Sequence, residues 1–172
     1  MKREIIVKTL MGKGKLSLEE SKEISLNEIA SKTLGCWIIN HRYEATLNDK
    51  EVSLNGTYDV QLWYATDNDS KTNVYYETIP FSGIFTMSYR SLESLSDDIL
   101  LKVHVIKYPT ACKMELVEEN KVRIFIESEY LVDTFQDAIL STETLEEDNE
   151  VEVIDEEIVM NVNPNYIKDN NQ

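Results

Sequence analysis

Two histidines supply the imidazole groups of this 172-residue chain, so acid–base or nucleophilic chemistry would depend on them first. His41 lies in INHRYE and His104 in LLKVHVIK, and apolar residues alternate around each of them as in a β-strand. Neither is accompanied by a serine or cysteine motif, such as a nucleophile elbow. We therefore interpret both as structural or surface residues and predict no catalytic residue.

Asp59, Asp67 and Asp69 are the acidic residues whose spacing comes nearest to a cation site. They lack the D-x-D-x-D-G pattern with a terminal Glu, and a hairpin turn explains Asp67 and Asp69 better. Gly12 and Gly14, in GKGKL, lack the spacing and the strand–turn–helix context of a phosphate-binding loop. The sequence thus predicts no metal site, no cofactor site and no enzymatic activity.

Cys36 and Cys112 are too few for a disulfide framework, and they lack metal-ligand spacing. One interpretation is a pair of buried or half-buried free thiols. The other is a crosslink formed late in the life of the protein, within one chain or between chains. The sequence leaves both open.

Negative charge is concentrated at the C-terminus. Residues 1–142 carry 22 acidic and 16 basic side chains, whereas residues 143–172 carry 10 acidic and one basic, within a formal net charge of −15. This balance argues against a nucleic-acid partner, because a basic face would have to overcome phosphate repulsion. We expect a β-rich assembly domain at 1–142 and an acidic, partly disordered tail at 143–172.

The tail also carries apolar residues that a solvated extension does not need. A solubility extension is one interpretation, and docking on a partner as an added strand or short amphipathic element is the other. The candidate docking residues are Val151, Val153, Ile154, Ile158, Val159 and Met160.

The N-terminus MKREIIVKTLMGKGK carries five basic side chains and one acidic one. Lys8 interrupts its apolar run too early for the core of a signal peptide, and no segment approaches the length of a membrane span. We expect a protein made and kept in the cytosol, without membrane insertion.

The positions that matter most for the fold lie in β-patterned segments. From Tyr58 to Tyr64 apolar and polar residues alternate, which is typical of a strand with one buried face, and Thr72 to Ile79 is rich in β-branched and tyrosine side chains. The polar break Asp67 to Ser70 between them predicts a β-hairpin. Further turns are predicted at Asn48–Lys50, Ser91–Asp98, Pro109 and Glu118–Asn120.

Repeated short strands of this kind predict an all-β fold, an antiparallel sandwich or barrel-like domain of about eight to ten strands. Two segments remain plausible as helices. These are Ser17 to Lys32, where LSLEESKE has a helical charge pattern, and Tyr130 to Leu140.

Four segments carry a resemblance to a known family. They are REII at Arg3 to Ile6, a Gly-Lys-Gly segment, LGCWIINHRYEA at Leu34 to Ala45 and NGTYDVQLWYATDNDSKTNV at Asn55 to Val74. In this order they resemble the outer spore coat protein E (CotE) family of endospore-forming bacteria. The resemblance is specific in the first half and looser beyond Pro80. Ala65 stands where the family usually has serine, and the acidic tail is shorter than in better-known members.

The resemblance implies a non-enzymatic morphogenetic scaffold. Proteins of this family are made in the mother cell, settle around the forespore, self-associate and direct assembly of the outer coat. The implied partners are further copies of the chain, other spore coat proteins and an inner-coat morphogenetic ATPase. The implied location is the mother-cell cytoplasm, then the spore coat at the forespore surface.

Trp37, Trp63 and Tyr64 are the self-association candidates, because exposed Trp and Tyr dominate contact energetics. The apolar neighbours of Trp37, Ile38 and Ile39, favour core packing for it. The phase of Trp63 pairs it instead with polar residues on the outer face. An alternative function is a monomeric β-sandwich binding module for a carbohydrate or cell-wall ligand, with these rings as a stacking platform.

Overall fold

Seven β-strands account for most of the residues that the structure, a computed structural model, describes, namely 2–90 and 98–143. No residue within these ranges is helical. The strands are β1 (Lys2–Ser25), β2 (Ala30–Asn48), β3 (Glu51–Thr66), β4 (Lys71–Ile84), β5 (Thr86–Tyr89), β6 (Leu100–Glu118) and β7 (Lys121–Glu143). The predicted all-β fold is confirmed.

The strands form two sheets, one in the order β5-β1-β7-β6 and one in the order β2-β3-β4. The neighbouring pairs β1–β5, β2–β3, β3–β4 and β6–β7 run antiparallel. The central strands β3 and β7 supply most of the shared core, since the alternate residues of each are apolar and turn to the same side. These core residues include Val52, Leu54, Tyr58, Val60, Leu62, Val122, Ile124, Ile126, Tyr130 and Val132.

Local turn chemistry fixes the hairpins where the sequence predicts them. Four residues, Asp67 to Ser70, connect β3 to β4, and the Ser70 N–H donates to the Asp67 carbonyl at 3.1 Å. Asp67, Asn68 and Asp69 have φ values of 51°, 54° and 69°, a left-handed region that Asn and Asp tolerate better than most residues. The β2–β3 turn has the same device at Asp49, with φ 61°. Both predicted hairpins, and the β6–β7 turn after Glu118, are confirmed.

Both segments that the sequence left plausible as helices are strands, so those interpretations are wrong. In Ser17–Lys32, β1 continues to Ser25 and β2 begins at Ala30. Burial alternates around this segment at Leu16, Ile24 and Leu26, and it alternates in β7 at Tyr130, Val132 and Thr134. An apolar residue at every second position is typical of a strand. Burial of that face in the tertiary structure outweighs the local helical charge pattern.

The strands are longer and fewer than predicted. Pro109 does not end a strand but lies within β6, where the pairing with β7 shifts register between Lys107 and Thr110. A proline can occupy a sheet edge at such an irregularity because its missing N–H is not needed there. The predicted break at Ser91–Asp98 falls largely on residues 91–97, which lie outside the described residues.

The chain divides into two compact units. The larger, Ile5–Leu140, contains the core described above. The smaller combines Met1–Glu4 with Ser141–Gln172, and its described part is the first three residues of β1 and the last three of β7. The predicted boundary between 1–142 and 143–172 stays a prediction. The tail docking candidates Val151, Val153, Ile154, Ile158, Val159 and Met160 lie outside the described residues.

Candidate assembly face

The outer surface of the β2-β3-β4 sheet carries a cluster of exposed aromatic residues. The strand register places Gly35, Trp63 and Val74 in one row across the three strands. The next row holds Trp37, Gln61 and Tyr76. We call Trp37, Gln61, Trp63, Val74 and Tyr76 the aromatic face. Its large side chains point away from the core, which lies on the opposite side of the sheet.

Trp37 and Trp63 form the centre of the aromatic face. Their ring centroids are 6.4 Å apart and their planes are inclined at 88°, an edge-to-face geometry that aromatic pairs favour. The side chains are 54% and 38% exposed. Gly35 leaves room for this arrangement, because a Cβ at that position would come within 2.7 Å of the Trp37 ring. The two indoles therefore present a preformed apolar surface to solvent.

Beside the two indoles, a carboxylate with little solvent exposure holds Tyr76 in place. Asp59 accepts hydrogen bonds from the Thr78 hydroxyl at 2.6 Å, the Tyr76 hydroxyl at 2.6 Å and the Asn40 amide at 2.7 Å. These donors, that of Thr78 first, lower the pKa of Asp59 to about 2. The same bond to Asp59 raises the pKa of Tyr76, so its hydroxyl remains a donor. Asp59 therefore ties β2, β3 and β4 together beside the aromatic face.

A β-bulge in β2 brings Asn40 to Asp59. The pairing of β2 with β3 shifts register between Ile39 and Arg42, and Asn40 within the shift has a φ of 52°. An extra residue in one strand bends that strand and re-aims a side chain. Asn is among the residues that adopt the left-handed conformation at least cost. The bulge thus has a local consequence, which is the third hydrogen bond to Asp59.

The predicted self-association candidates fall on both sides of the sheet. Trp63 is on the outer face, as its phase predicts, and Trp37 lies beside it, so core packing of Trp37 is wrong. Tyr64 points to the other side and is only 5% exposed within the core cluster. The structure brings Trp37 and Trp63 together and separates them from Tyr64.

Sequence reasoning missed Val74, Tyr76, Asn40 and the role of Asp59. The signal for two of them was available, because a four-residue turn at Asp67–Ser70 sets Trp63 opposite Val74 and Gln61 opposite Tyr76. The position of Asn40 depends on a register shift that no local sequence motif predicts. Asp59 was weighed with Asp67 and Asp69 as a possible cation ligand, but those two lie in the turn.

His41 belongs to an aromatic cluster between strands of both sheets. Its Nε2 lies 3.0 Å from the Tyr130 hydroxyl, and its ring centroid is 5.0 Å from that of Tyr43 and 5.5 Å from that of Phe81. Burial lowers the pKa of His41, so the neutral ring is favoured. Its Nδ1 is buried without a hydrogen-bond partner among the described residues. These contacts fit a packing role.

The remaining residues singled out for chemistry are separated from one another. His104 lies in β6 with its Nε2 3.2 Å from Asp133 on β7. Cys36 is half-buried, and burial raises the pKa of its thiol to about 11, whereas Cys112 is exposed. Within residues 2–90 and 98–143, no three His, Cys, Asp or Glu side chains are placed to hold a metal ion. The same residues include no helix of the length and hydrophobicity needed to cross a membrane.

The sequence profile of the outer spore coat protein E (CotE) family matches residues 1–171. The chain belongs to this family. CotE proteins are structural proteins of the outer spore coat, so membership implies a spore coat location and contact with other coat proteins. No curated protein and no solved structure matches the chain significantly. The aromatic face is therefore a surface feature of a CotE-family protein.

Proposed function

We propose that this CotE-family protein is a non-catalytic morphogenetic scaffold. It self-associates around the forespore through the aromatic face and recruits other outer coat proteins through its acidic tail. Its partners are further copies of the chain, coat proteins and an inner-coat morphogenetic ATPase. It passes from the mother-cell cytoplasm to the coat at the forespore surface. The observation that carries this proposal is a solvent-exposed, preformed tryptophan pair in a protein of a structural coat family.

The aromatic face has the properties of a protein contact surface. Trp and Tyr are enriched where binding energy is concentrated, and they lose little side-chain entropy on binding when they are already held in place. Here Asp59 holds Tyr76, and Trp37 and Trp63 support each other edge to face. A contact surface with its rings fixed in advance suits repeated association between copies of one chain.

The tail proposal rests on composition. Residues 143–172 combine ten acidic side chains with apolar candidates from Val151 to Met160. Such a segment offers charge for steering a basic client and apolar side chains for holding it. It leaves self-association to the aromatic face, so scaffold formation and client recruitment are separable activities.

A fluorescent fusion in sporulating cells tests the scaffold proposal. We expect a shell or cap around the forespore, and a purified protein whose mass in light scattering grows with concentration. A diffuse signal from a functional fusion would contradict a coat scaffold. A strictly monomeric purified protein would contradict self-association and would favour the binding-module alternative.

A further inference from the structure

The four outer strands of the two sheets differ in how well their edges are protected. These strands are β2 and β4 in one sheet and β5 and β6 in the other. Natural proteins protect an edge by keeping it short, by interrupting it with bulges and prolines, or by placing charged side chains on it. β5 has four residues, β2 has three register shifts against β3, and β6 has four register shifts and contains Pro109.

Over its first half β4 has no bulge and no proline, and its charged side chains, Lys71 and Glu77, lie at the two ends of that segment. It pairs with β3 without a register shift from Lys71 to Ile84, and its first proline is Pro80. In the part of the chain that the structure describes, no strand pairs with its other side. Thr72, Val74 and Tyr76 are exposed there. The segment Lys71–Glu77 thus offers a regular row of backbone donors and acceptors to another strand.

We infer that Lys71–Glu77 pairs antiparallel with the same segment of a second copy of this chain, on a two-fold axis through Val74. The inference rests on the self-association proposed above and assigns it a first interface. In this register Lys71 lies opposite Glu77 of the second copy, and the symmetry repeats the match. Thr72 lies opposite Tyr76, and Val74 opposite its own equivalent. The charges at the two ends therefore complement each other twice in each dimer.

The partners that Lys71 and Glu77 have within the chain do not prevent this exchange. Lys71 Nζ lies 3.4 Å from an Asp67 carboxylate oxygen, and both side chains are well exposed. Glu77 accepts a hydrogen bond from the Tyr75 hydroxyl at 2.9 Å, also at an exposed site. Exposed pairs of this kind are weak, so replacing or sharing them costs little. Lys71 and Glu77 are an even number of positions apart, so their side chains lie on the same side of β4. The side chains of directly opposed antiparallel residues must also lie on one side.

Edge pairing also explains how the aromatic face can build a layer. Two three-stranded sheets joined at β4 form one six-stranded sheet, and directly opposed side chains point to the same side of it. The two Trp37–Trp63 pairs then lie on one surface, flanking Val74 and its equivalent. A single two-fold interface closes at a dimer, whereas a second contact through the aromatic face lets dimers associate further.

Cysteine crosslinking tests the register. In a full-length chain with Cys36→Ala and Cys112→Ser, we expect Val74→Cys to give a covalent dimer on mild oxidation. Opposed Cα atoms in an antiparallel pair are about 4.5–5.5 Å apart, within disulfide reach. Thr72→Cys is the matched control, since its equivalents would be four positions, about 13 Å, apart along the strands. Chains with Thr72→Cys mixed with chains carrying Tyr76→Cys should crosslink to each other.

Charge reversal tests the same interface without cysteines. We expect K71E to raise the dissociation constant of the dimer about tenfold, because two pairs of opposite charge become two pairs of like charge. The double variant K71E/E77K restores the pairing. Lys13→Glu is the control with the same change of charge, on an exposed position of β1. Circular dichroism confirms that each variant is folded.

The outcomes separate this inference from the proposed function. Crosslinking at Val74 with rescue by K71E/E77K supports the β4 pairing. Oligomers that persist in K71E, without crosslinking at Val74, overturn the β4 pairing and leave self-association in place. Monomers in every variant overturn both. A full-length chain that stays monomeric while a chain truncated after Glu143 dimerises would also overturn the inference for the intact protein.

Discussion

Asp59 shows how one residue on the outer face of a sheet can organise its neighbours. Its carboxylate accepts three hydrogen bonds from β2 and β4, and its pKa falls to about 2. An unfolded aspartate titrates near pH ~3.9. Because the folded pKa is the lower one, the stabilisation is fully present above the unfolded value and is lost as the pH falls from ~4 towards ~2.

Removal of the first of these donors should make that acid-dependent loss of stability smaller. In Thr78→Val we expect the pKa of Asp59 to rise, since the hydroxyl that does most to lower it is gone. The stability that is lost below pH ~4, followed by denaturant midpoints from pH 6 to pH 2.5, is then smaller in Thr78→Val than in the wild type, because the folded pKa of Asp59 lies closer to the unfolded one. Carboxyl-carbon NMR titration of Asp59 measures the pKa itself. Thr72→Val, the same change on the same side of β4 but opposite Ala65, is the control. Identical titration of Asp59 in wild type and Thr78→Val would refute the argument.

At the same scale, Trp63 tests the aromatic face. Trp63→Ala should weaken self-association at least about tenfold, as truncation of a central aromatic contact does, while the fold survives. Leu116→Ala is a suitable control, because Leu116 is 39% exposed in the other sheet. Sedimentation and circular dichroism measure association and folding. An unfolded Trp63→Ala would place the indole in the core instead of on the contact surface.

At the scale of elements, the bulge in β2 depends on a glycine in β3. A Cβ on Gly56 would lie 2.3 Å from the Arg42 carbonyl oxygen and 2.5 Å from the Phe81 ring. The backbone of β2 cannot move aside without changing the register shift between Ile39 and Arg42. The glycine therefore permits the close approach that places Asn40 over Asp59.

Gly56→Ala should destabilise the protein by about 1–3 kcal/mol, the usual cost of overpacking against an immobile group. Gly83→Ala makes a matched control on β4. Its Cβ would meet the ends of the Leu16 and Leu18 side chains at 2.8–2.9 Å, and these can turn aside more easily than backbone. Chemical denaturation compares the two. A loss in Gly83→Ala equal to or greater than that in Gly56→Ala would show that the bulge is not the reason.

At the scale of the whole molecule, the proposal separates assembly from recruitment. The contacts proposed for assembly all lie within Ile5–Leu140, whereas the apolar tail candidates lie beyond Glu143. Two different self-contacts, an edge and a face, allow growth past a dimer. The tail adds partners without being needed for that growth.

Truncation after Glu143 should therefore retain self-association and the forespore shell but lose client coat proteins, with β7 left complete. Light scattering measures the first, and co-purification of coat proteins from sporulating cells measures the second. A tail with its acidic residues kept and Val151, Val153 and Ile154 replaced by Ser separates apolar docking from charge. Loss of self-association in the truncated chain would reassign the tail to assembly.

The sequence alone determined the features that depend on neighbouring residues. The alternation of apolar residues predicts the strands, and the Asp- and Asn-rich turns predict the hairpins. The sequence motifs around Trp37 and Trp63 indicate the CotE family. The phase of Tyr64 with Val60 and Leu62 indicates burial, although a tyrosine also suits a contact surface. These signals are local, so they survive without knowledge of the fold.

Only the tertiary structure decided the features that depend on register between distant segments. The exposure of Trp37 follows from its place opposite Gln61, and the bulge at Asn40 shifts that pairing only a few residues later. The three hydrogen bonds to Asp59 and the unpaired edge of β4 can be recognised only when the neighbours of each strand are known. A strand's own sequence sets its two faces, but burial, hydrogen-bond partners and free edges are set by what the rest of the chain places against it.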